Sequence, residues 1–325
     1  MKLLVTGGAG FIGNCFVRHI LNKYPDYQVI NIDALTYCGN LENLKDVENN
    51  PNYKFVHGNI CDRKLVRELV SEVDCIVNFA AESHVDNSIK HPEVFIETNV
   101  QGTLNLLQSA KEIGIERYLQ VSTDEVYGTL GKTGYFYETT PLAPNSPYSA
   151  SKASADMLVR AFYETYKLPV LTTRCSNNYG PYQYPEKLIP FFISRLLNGE
   201  KVPVYGDGLN VRDWLYVYDH CAAIDTVLHK GRIGEVYNVG GHNEKTNMEI
   251  THLILDAMGK DESSIEYVQD RLGHDRRYAI SNDKITSELG WEPSVTFEQG
   301  IKMTIDWYLN NQAWIEHIEA KKVGV

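Results

Sequence analysis

The first half of the chain alternates short apolar runs, rich in valine, isoleucine and leucine, with longer amphipathic stretches. This alternation is typical of successive strand–helix–strand units, which form a parallel sheet with helices on both faces. Most of the apolar runs are continuous, as expected for strands that are buried on both faces. We predict six strands, at Lys2–Thr6, Gln28–Asp33, Lys54–His57, Cys75–Phe79, Tyr118–Ser122 and Val170–Arg174. The clearest predicted helices are Phe11–Lys23, Arg63–Ser71, Pro92–Ile113 and Pro147–Tyr166.

After residue 178 the elements become shorter and turn signals become frequent. Glycines mark these turns, at Gly199, Gly206, Gly208, Gly231, Gly240, Gly241 and Gly273. No Pro/Ser-rich linker separates the halves, so we expect the second to pack against the first and to close a cleft. The predicted fold is α/β, with a doubly wound parallel sheet in residues 1–178 and a smaller lobe in residues 179–325. We expect some chain crossing between the two.

Composition restricts the class of protein more than it restricts the ligand. No apolar run approaches the roughly 20 residues of a membrane helix, and the first residues lack the features of a signal peptide. The six cysteines are scattered, without a C-x-x-C pair or a histidine cluster, so we expect reduced thiols, no metal site and a cytoplasmic location. The net charge of −11 argues against a nucleic-acid partner, although a small phosphate ligand remains possible.

A glycine loop, Gly7-Gly8-Ala9-Gly10-Phe11-Ile12-Gly13, follows the first predicted strand and opens the first predicted helix. Glycine lets the backbone turn tightly and approach a pyrophosphate at the positive end of a helix. Asp33 ends the second strand 20 residues after Gly13, where its carboxylate can accept hydrogen bonds from both ribose hydroxyls. No arginine directly follows Asp33, and its carboxylate would repel the 2′-phosphate of NADP, so NAD is favoured. An unliganded glycine turn is the alternative, but strand, loop, helix and acid together favour a dinucleotide.

Tyr148 and Lys152 are four residues apart in a predicted helix and therefore share one face. A phenol with a pKa of about 10 is a poor base at neutral pH. A nearby ammonium and a nicotinamide cation would favour the phenolate and lower that pKa. We therefore predict that Tyr148 accepts a hydroxyl proton. By itself, the Tyr/Lys spacing is more typical of a surface pair, because it is common by chance.

The segment Ser122–Gly128 follows the fifth predicted strand at its carboxyl end, where ligands of open α/β sheets bind. Ser122 or Thr123 can donate a hydrogen bond to a reacting oxygen. Asp124 and Glu125 provide an acid and a base if their surroundings separate their pKa values. Strict strand alternation would send these two side chains to opposite faces, so the prediction requires an irregular backbone. A solvated acidic turn is the alternative.

These motifs, together with Asn78–Asp86, resemble the dTDP-glucose 4,6-dehydratases, a family of extended short-chain dehydrogenases/reductases. The likeness covers nearly the whole chain. It continues at Arg174–Pro181, Glu186–Pro190, Val204–Gly208, Arg212–Trp214 and Asp270–Asp275. The glycine loop and the Tyr/Lys pair are shared by the whole superfamily, whereas Thr123-Asp124-Glu125 is the segment specific to the dehydratases. Leu272 departs from the proline of the family pattern and frees the backbone there, which puts nucleotide preference in question.

The resemblance implies an NAD-binding Rossmann domain, a smaller carboxyl-terminal substrate-binding lobe, and a homodimer formed through the helices at 92–113 and 147–166. The residues implied to surround NAD are Gly7, Gly10, Phe11, Ile12, Gly13, Asp33, Leu35, Thr36, Asn59, Ile60, Ala80, Ala81, Thr98, Ser122, Tyr148, Lys152 and Asn178. Those implied to hold the sugar nucleotide are Ser83, His84, Thr123, Asn177, Lys187, Leu188, Tyr205, Arg212, Asn247, Arg271 and His274.

The implied activity converts dTDP-glucose to dTDP-4-dehydro-6-deoxyglucose and water, with internal hydride transfer from C4 to C6 through bound NAD. The catalytic residues would be Thr123, Asp124, Glu125, Tyr148 and Lys152. Tyr148, assisted by Lys152, deprotonates the C4 hydroxyl, Glu125 removes the C5 proton, and Asp124 protonates the departing C6 oxygen. The product would supply deoxysugar biosynthesis.

Three alternatives share parts of this pattern. Another nucleotide-sugar 4,6-dehydratase would differ only in base or sugar. A 4-epimerase or a uronate decarboxylase would share the glycine loop and the Tyr/Lys pair, but would not require Asp124 to protonate a departing C6 oxygen. A non-catalytic NAD-binding regulator is disfavoured because the serine or threonine, the tyrosine and the lysine occur together.

Overall fold

The computed structural model describes residues 1–270 and 274–323. Its strands are β1 (Lys2–Thr6), β2 (Gln28–Asp33), β3 (Tyr53–His57), β4 (Cys75–Asn78), β5 (Arg117–Thr123), β6 (Val170–Cys175), β7 (Asn177–Tyr179), β8 (Val202–Tyr205), β9 (Val211–Tyr216), β10 (Val236–Val239), β11 (Glu244–Thr246) and β12 (Ile265–Val268). Its helices are α1 (Phe11–Lys23), α2 (Arg63–Val70), α3 (Val85–Lys90), α4 (Pro92–Phe95), α5 (Thr103–Ile113), α6 (Pro147–Tyr166), α7 (Leu188–Leu197), α8 (Val217–Lys230), α9 (Asn247–Ala257), α10 (Asp283–Leu289), α11 (Phe297–Asn310) and α12 (Gln312–Val323).

The main sheet has seven parallel strands in the order β10-β6-β5-β4-β1-β2-β3. Both of its faces are buried. In β1, Leu3 and Val5 belong to one hydrophobic core, whereas Leu4, on the opposite face, belongs to another. The continuous apolar runs of the sequence have this origin, because each face of a doubly wound sheet is covered by helices. The predicted α/β, doubly wound fold class is thereby confirmed.

The six predicted strands are all present, within one or two residues at each end. The seventh, β10, was not predicted. It pairs with β6 at the edge of the sheet, and its four residues, Val-Tyr-Asn-Val, are too few to distinguish from a loop by pattern alone. The helix predicted at 92–113 is helical throughout, but its central part, Ile96–Gly102, is a π-helix between α4 and α5. Such π-helical turns occur frequently at functional sites.

The smaller lobe contains a three-stranded sheet (β11-β9-β7) and a two-stranded sheet (β12-β8), with α7, α9, α11 and α12 packed around them. Aromatic side chains fill its core and reach the first domain. The Tyr308 hydroxyl donates to the Gln183 carbonyl at 2.7 Å, and the Trp314 indole donates to Asn43 at 2.8 Å. The Arg18 guanidinium lies 4.5 Å from the Tyr182 ring centroid. These contacts fix the smaller lobe against α1 and its neighbours.

Within residues 1–270 and 274–323, no helix combines the length and the apolar character that are needed to cross a membrane.

A buried carboxylate joins α1 to α8. Asp225 has 1% of its side chain exposed and accepts hydrogen bonds from four surrounding groups, on His19 (2.8 Å), Lys23 (2.7 Å), Tyr24 (3.0 Å) and His229 (2.8 Å). Burial by itself would raise the pKa of this carboxyl, but the hydrogen bonds from these partners outweigh burial and hold the pKa well below its usual range.

We expect Asp225→Asn to lower the free energy of unfolding by about 2 kcal/mol at about pH 7, because a buried charge-assisted network is broken. The charge of Asp225 stabilises the fold above the ordinary aspartate pKa of about 3.9, and this contribution declines as pH falls toward the lower folded-state pKa. Urea unfolding should therefore show a smaller difference at about pH 3. Glu262→Gln, at an exposed acid, serves as control. An equal difference at both pH values would contradict this account.

Candidate active site

The glycine loop connects β1 to α1 and lies close to the end of β4. Gly7 has φ of +69°, a conformation that favours glycine. A Cβ atom on Gly7 would lie 2.8 Å from the Ala80 nitrogen, and one on Gly13 would lie 2.3 Å from the Gly7 carbonyl oxygen. The loop therefore has no room for side chains at these positions. Its backbone is free to approach a ligand at the amino end of α1.

Asp33 is the last residue of β2, and its side chain is hydrogen-bonded to the backbone of the glycine loop. Its two carboxylate oxygens accept hydrogen bonds from the backbone nitrogens of Ala9 (2.9 Å) and Leu35 (2.8 Å). Burial raises the pKa of Asp33, and these two N–H groups partly oppose that effect. The sequence predicted only a ribose contact for this residue. The structure adds a second role, because the same carboxylate organises the backbone around the dinucleotide loop.

A long cleft, here called the cofactor cleft, runs along the carboxyl ends of the main-sheet strands. All the residues predicted to bind the cofactor line it except Leu35, whose backbone nitrogen is bound to Asp33. Sequence analysis missed Glu82 and Glu186, which also line this cleft. Burial and the charge of Glu186 raise the pKa of Glu82. Both acids lie inside segments that carried the family resemblance, which is the signal that could have identified them.

Two features of the cofactor cleft are suited to binding a dinucleotide. The glycine loop is packed so closely that a Cβ atom on Gly7 or Gly13 would lie less than 3.0 Å from backbone atoms, and its backbone at these positions carries no side chain that could keep a pyrophosphate away. Near the other end of the cleft, the buried Ser122 hydroxyl has no hydrogen-bond partner among the described residues. A buried polar group without a partner inside a cleft is available to a ligand. The cleft thus offers backbone donors at one end and a side-chain hydroxyl at the other.

The segment Asp124–Tyr127 is a 3₁₀ turn that begins where β5 ends, and we call it the acid turn. Thr123 caps it, since its hydroxyl accepts a hydrogen bond from the Glu125 nitrogen at 3.3 Å. Leaving the strand conformation removes the alternation that would have separated the two acids. Asp124 and Glu125 both line the cofactor cleft. The irregular backbone that the sequence prediction required is therefore present.

The two acids of the turn have different surroundings. Asp124 is 1% exposed, and its Oδ2 atom has no hydrogen-bond partner among the described residues. Burial, followed by the charges of Glu125 and Asp213, raises the pKa of Asp124 well above its usual range. Glu125 is only partly buried and borders a second cleft as well. Asp124 is thus suited to donate a proton, and Glu125 to accept one.

Tyr148 and Lys152 lie on the first two turns of α6, and both line the cofactor cleft. The helix begins with a capping box at Ser146, followed by Pro147, which fixes its start next to the acid turn. The Lys152 ammonium donates to the Val121 carbonyl at 2.9 Å. Burial lowers the pKa of Lys152.

The predicted lowering of the Tyr148 pKa is not found among the chain's own groups. Burial, followed by the charge of Glu125, raises the pKa of this phenol well above its usual value, and a hydrogen bond with Thr123 only partly opposes the rise. The sequence could not show how completely Tyr148 is enclosed, since it is 9% exposed in the fold. Desolvation therefore outweighs the expected effect of Lys152.

A second cleft, the substrate cleft, lies between the acid turn and the smaller lobe. It shares Glu125, Asn177, Glu186 and Lys187 with the cofactor cleft. The predicted substrate residues that line it are His84, Asn177, Lys187, Leu188, Tyr205, Arg212, Asn247 and His274. Ser83 and Thr123 line the cofactor cleft instead. Arg271 and Leu272 lie outside the described residues.

The substrate cleft contains the cationic groups expected beside an anionic ligand. Arg212 donates to the Asp275 carbonyl at 2.9 Å, and its guanidinium lies 4.5 Å from the Tyr278 ring centroid. Lys187 donates to the Ser83 carbonyl at 3.0 Å. Sequence analysis missed Tyr278, which also lines the cleft. Arginine and lysine in a concave site are suited to bind a diphosphate.

The fold and the site together define an extended short-chain dehydrogenase/reductase. A dinucleotide cleft lies along a doubly wound sheet, the Tyr/Lys pair borders it on one helix, and a second cleft opens onto the smaller lobe.

Comparison with known proteins identifies the family. The sequence model described as GDP-mannose 4,6 dehydratase matches residues 4–304, and the chain belongs to this family. It is 57% identical to a dTDP-glucose 4,6-dehydratase of Xanthomonas campestris pv. campestris, over 97% of this chain and 95% of the relative.

Two solved structures of dTDP-glucose 4,6-dehydratases, both with NAD bound, are similar to this fold. DesIV from Streptomyces venezuelae has a TM-score of 0.96 and 53% identity, with 98% of this chain and 100% of the other covered. The enzyme from Bacillus anthracis has a TM-score of 0.92 and 58% identity, with 98% and 99% covered. The recognised family is therefore confirmed over almost the whole chain.

We expect Gly13→Ala to lower the affinity for NAD at least about tenfold, about 1.4 kcal/mol, because the new methyl group would meet the Gly7 carbonyl. Equilibrium dialysis measures this directly. Gly131→Ala is the matched control, since a Cβ atom there meets nothing within 4 Å. Unchanged affinity in Gly13→Ala would show that the loop does not hold the dinucleotide.

Proposed function

We propose that this protein is an NAD-dependent dTDP-glucose 4,6-dehydratase, which forms dTDP-4-dehydro-6-deoxyglucose and water. The observation that carries the proposal is the acid turn. It presents a buried carboxyl, Asp124, and a more exposed one, Glu125, on the same cleft wall as Tyr148. An elimination needs one proton donor and one proton acceptor close to the oxidised carbon. Family membership and the NAD-bound relatives point to the same activity.

When bound, NAD would accept hydride from C4 of the sugar and return it to C6, so that it is regenerated in each turnover. The glycine loop would hold its pyrophosphate through backbone N–H groups at the start of α1. Asp33 would bind the adenosine ribose while it keeps the loop in place. The Tyr148 and Lys152 end of the cleft would receive the nicotinamide.

Oxidation at C4 has to come first, because the C5 hydrogen becomes acidic only next to a ketone. Tyr148 accepts the proton of the C4 hydroxyl. The buried phenol is a weak base among the chain's own groups, so this step depends on positive charge supplied nearby. Lys152 is one such charge, on the same helical face, and the cationic nicotinamide ring is a second.

Glu125 then removes the C5 proton, and Asp124 donates a proton to the C6 oxygen as water departs. The raised pKa of Asp124 favours the protonated form of this carboxyl. A protonated carboxyl converts a poor leaving group, hydroxide, into water. Glu125 lies where the two clefts meet, so its carboxylate is near both the cofactor and the sugar. When hydride returns to C6, Glu125 would give its proton back to C5. Protons thus leave the C4 oxygen and C5, and they enter at the C6 oxygen and C5.

The nucleotide would bind in the substrate cleft. Lys187, Arg212 and His274 all line it, and they would engage the diphosphate. Arginine binds phosphate oxygens in a bidentate manner. The Tyr205 side chain lies at the same cleft and offers an aromatic face for the base. The acidic chain thus concentrates several cationic groups where the anionic substrate has to bind.

We expect Asp124→Asn and Glu125→Gln each to reduce the rate of 4-keto product formation from dTDP-glucose by about 10²- to 10⁴-fold. Both changes preserve shape, so NAD affinity and thermal stability should change little. Because oxidation precedes elimination, NADH should accumulate in both variants, visible as its ultraviolet absorbance.

Glu262→Gln, at an exposed acid of the smaller lobe, is the matched control and should have the wild-type rate. Product formation at the wild-type rate in Glu125→Gln would reject the assignment. If the wild-type protein instead converted dTDP-glucose to an isomer, the protein would be an epimerase.

We further propose that two copies of the chain form a dimer through α6 and the helices beside it. Ile89, Val94 and Met157 are 41%, 40% and 47% exposed, and they lie on α3, α4 and α6, which pack against one another. Neighbouring exposed apolar side chains are typical of an interface. The resemblance to the dehydratase family supports the same pair of helices.

Met157→Lys should convert a dimer to a monomer in sedimentation experiments at low micromolar concentration, because it places a charge on the proposed apolar interface. Met303→Lys is the matched control, since Met303 is 42% exposed on α11, and it should leave the mass unchanged. A dimer that persists in Met157→Lys would refute this interface.

We also propose a cytoplasmic location. All six cysteines are free thiols, and four of them are buried. Unpaired cysteines in this number are typical of a reducing compartment.

A further inference from the structure

A buried ion pair joins β6 to α6, the helix that carries Tyr148 and Lys152. The Arg174 Nε atom of β6 donates to Asp156 Oδ2 of α6 at 2.9 Å, and their side chains are 5% and 1% exposed. A second guanidinium nitrogen of Arg174 donates to the Tyr127 hydroxyl at 3.0 Å. That hydroxyl donates to the Asn238 side chain of β10 at 2.7 Å. One connected network therefore joins four elements of the fold.

Each end of this network lies on an element that bears proposed catalytic residues. Tyr127 is the last residue of the acid turn, which bears Asp124 and Glu125. Asp156 lies on α6, one turn after Lys152 and two turns after Tyr148. The relative position of turn and helix decides whether the acids and the phenol meet the same sugar. Packing by itself would tolerate small shifts, whereas a hydrogen-bonded ion pair fixes direction and distance.

Arg174 hydrogen-bonds only one of the two oxygens of the Asp156 carboxylate. Its Oδ1 atom is buried and has no hydrogen-bond partner among the described residues. Asp156 and Lys152 are four residues apart on α6 and are therefore neighbours on one face of the helix. Burial lowers the pKa of Lys152, and the charge of Asp156 acts in the opposite direction.

We propose that Asp156, held by Arg174, is a positioning residue that fixes α6 against the acid turn and keeps Lys152 charged beside Tyr148. The proposal rests on the dehydratase function given above.

The other titratable groups around this pair do not replace Asp156. Among the described residues they include Arg174 and Cys175 of β6, Asp124, Glu125 and Tyr127 of the acid turn, Tyr118 of β5, Tyr148 of α6, and Glu138, which accepts a hydrogen bond from the Asn238 nitrogen. Besides burial, the groups that act on the pKa of Lys152 are Asp156 and Cys175. Burial raises the pKa of Cys175 to about 12 and that of Tyr127 to about 12, so both are neutral at physiological pH. Tyr118 is also neutral, because burial raises its pKa. Asp156 is therefore the nearby anion that opposes deprotonation of Lys152.

The experiment isolates the oxidation step with dTDP-6-deoxyglucose, which has no C6 hydroxyl to lose. The rate of NADH formation in a single turnover is measured against pH for the wild type and Asp156→Asn. Without the carboxylate charge, Lys152 should lose its proton at lower pH. We therefore expect the alkaline limb of the profile to move down by about one pH unit, whereas a purely structural defect would lower the rate equally at every pH.

Two further variants complete the test. Arg174→Lys retains a cation beside Asp156 and should keep the alkaline limb in its wild-type position. Asp225→Asn makes the same chemical change at another buried carboxylate, on α8, and should reduce stability without moving the limb. An unmoved limb in Asp156→Asn, or an equal movement in Asp225→Asn, would overturn the proposal.

Tyr127→Phe tests the other end of the network. It removes the hydroxyl between Arg174 and Asn238, so the acid turn should lose its alignment while oxidation continues. We expect NADH to accumulate during turnover of dTDP-glucose, with a several-fold lower rate of product formation. Equal slowing of oxidation and elimination would show that the network does not position the turn.

Measurements on the wild-type protein distinguish failure of the proposed function from failure of the role proposed for Asp156. If the wild-type protein forms no 4-keto product from dTDP-glucose, the proposed function fails. If it forms that product and the variants fail to behave as described, only the role of Asp156 is rejected.

Discussion

The exclusion of water from one carboxyl group is the constraint on which the rest of the site depends. Asp124 is buried at the end of β5 with one oxygen unpartnered among the described residues. Leaving such a group without a partner costs about 1–3 kcal/mol, and the fold has to supply that energy elsewhere. It does so through the doubly wound sheet, whose two faces are fully covered. The same burial that costs this free energy raises the pKa of Asp124 and so favours the protonated form that can act as an acid.

Two clefts meet next to this carboxyl, at Glu125, and their junction explains how one site can both oxidise and dehydrate a sugar. Strand ends of the main sheet form the cofactor cleft, while the smaller lobe provides most of the substrate cleft. The chain from Asn177 to Lys187 borders both. Tyr182 of this segment contacts Arg18 on α1, so the segment is tied to the helix that follows the glycine loop. Cofactor and sugar are thereby held against a single rigid frame.

Electrostatics in the site is decided by burial more than by individual charges. The pKa of Tyr148 and that of Asp124 both rise, and the pKa of Lys152 falls, so each group is shifted toward its neutral form. A cationic ligand beside Tyr148 would change the balance strongly, because charges act over a longer range where water is excluded.

The sequence by itself determined the order of strands and helices in the first domain, because a sheet covered on both faces requires continuous apolar runs with amphipathic helices between them. It also located the glycine loop, Asp33, the Tyr/Lys pair and the acid pair, since these depend on residue type and local spacing. Only the tertiary structure brought β10 to the edge of the sheet, placed Asp213 near Asp124, and paired Arg174 with Asp156. It also decided the direction of the pKa shift of Tyr148. These features depend on contacts between residues far apart in the chain and on how completely the fold excludes water. A local pattern of residues determines neither the contacts nor the burial.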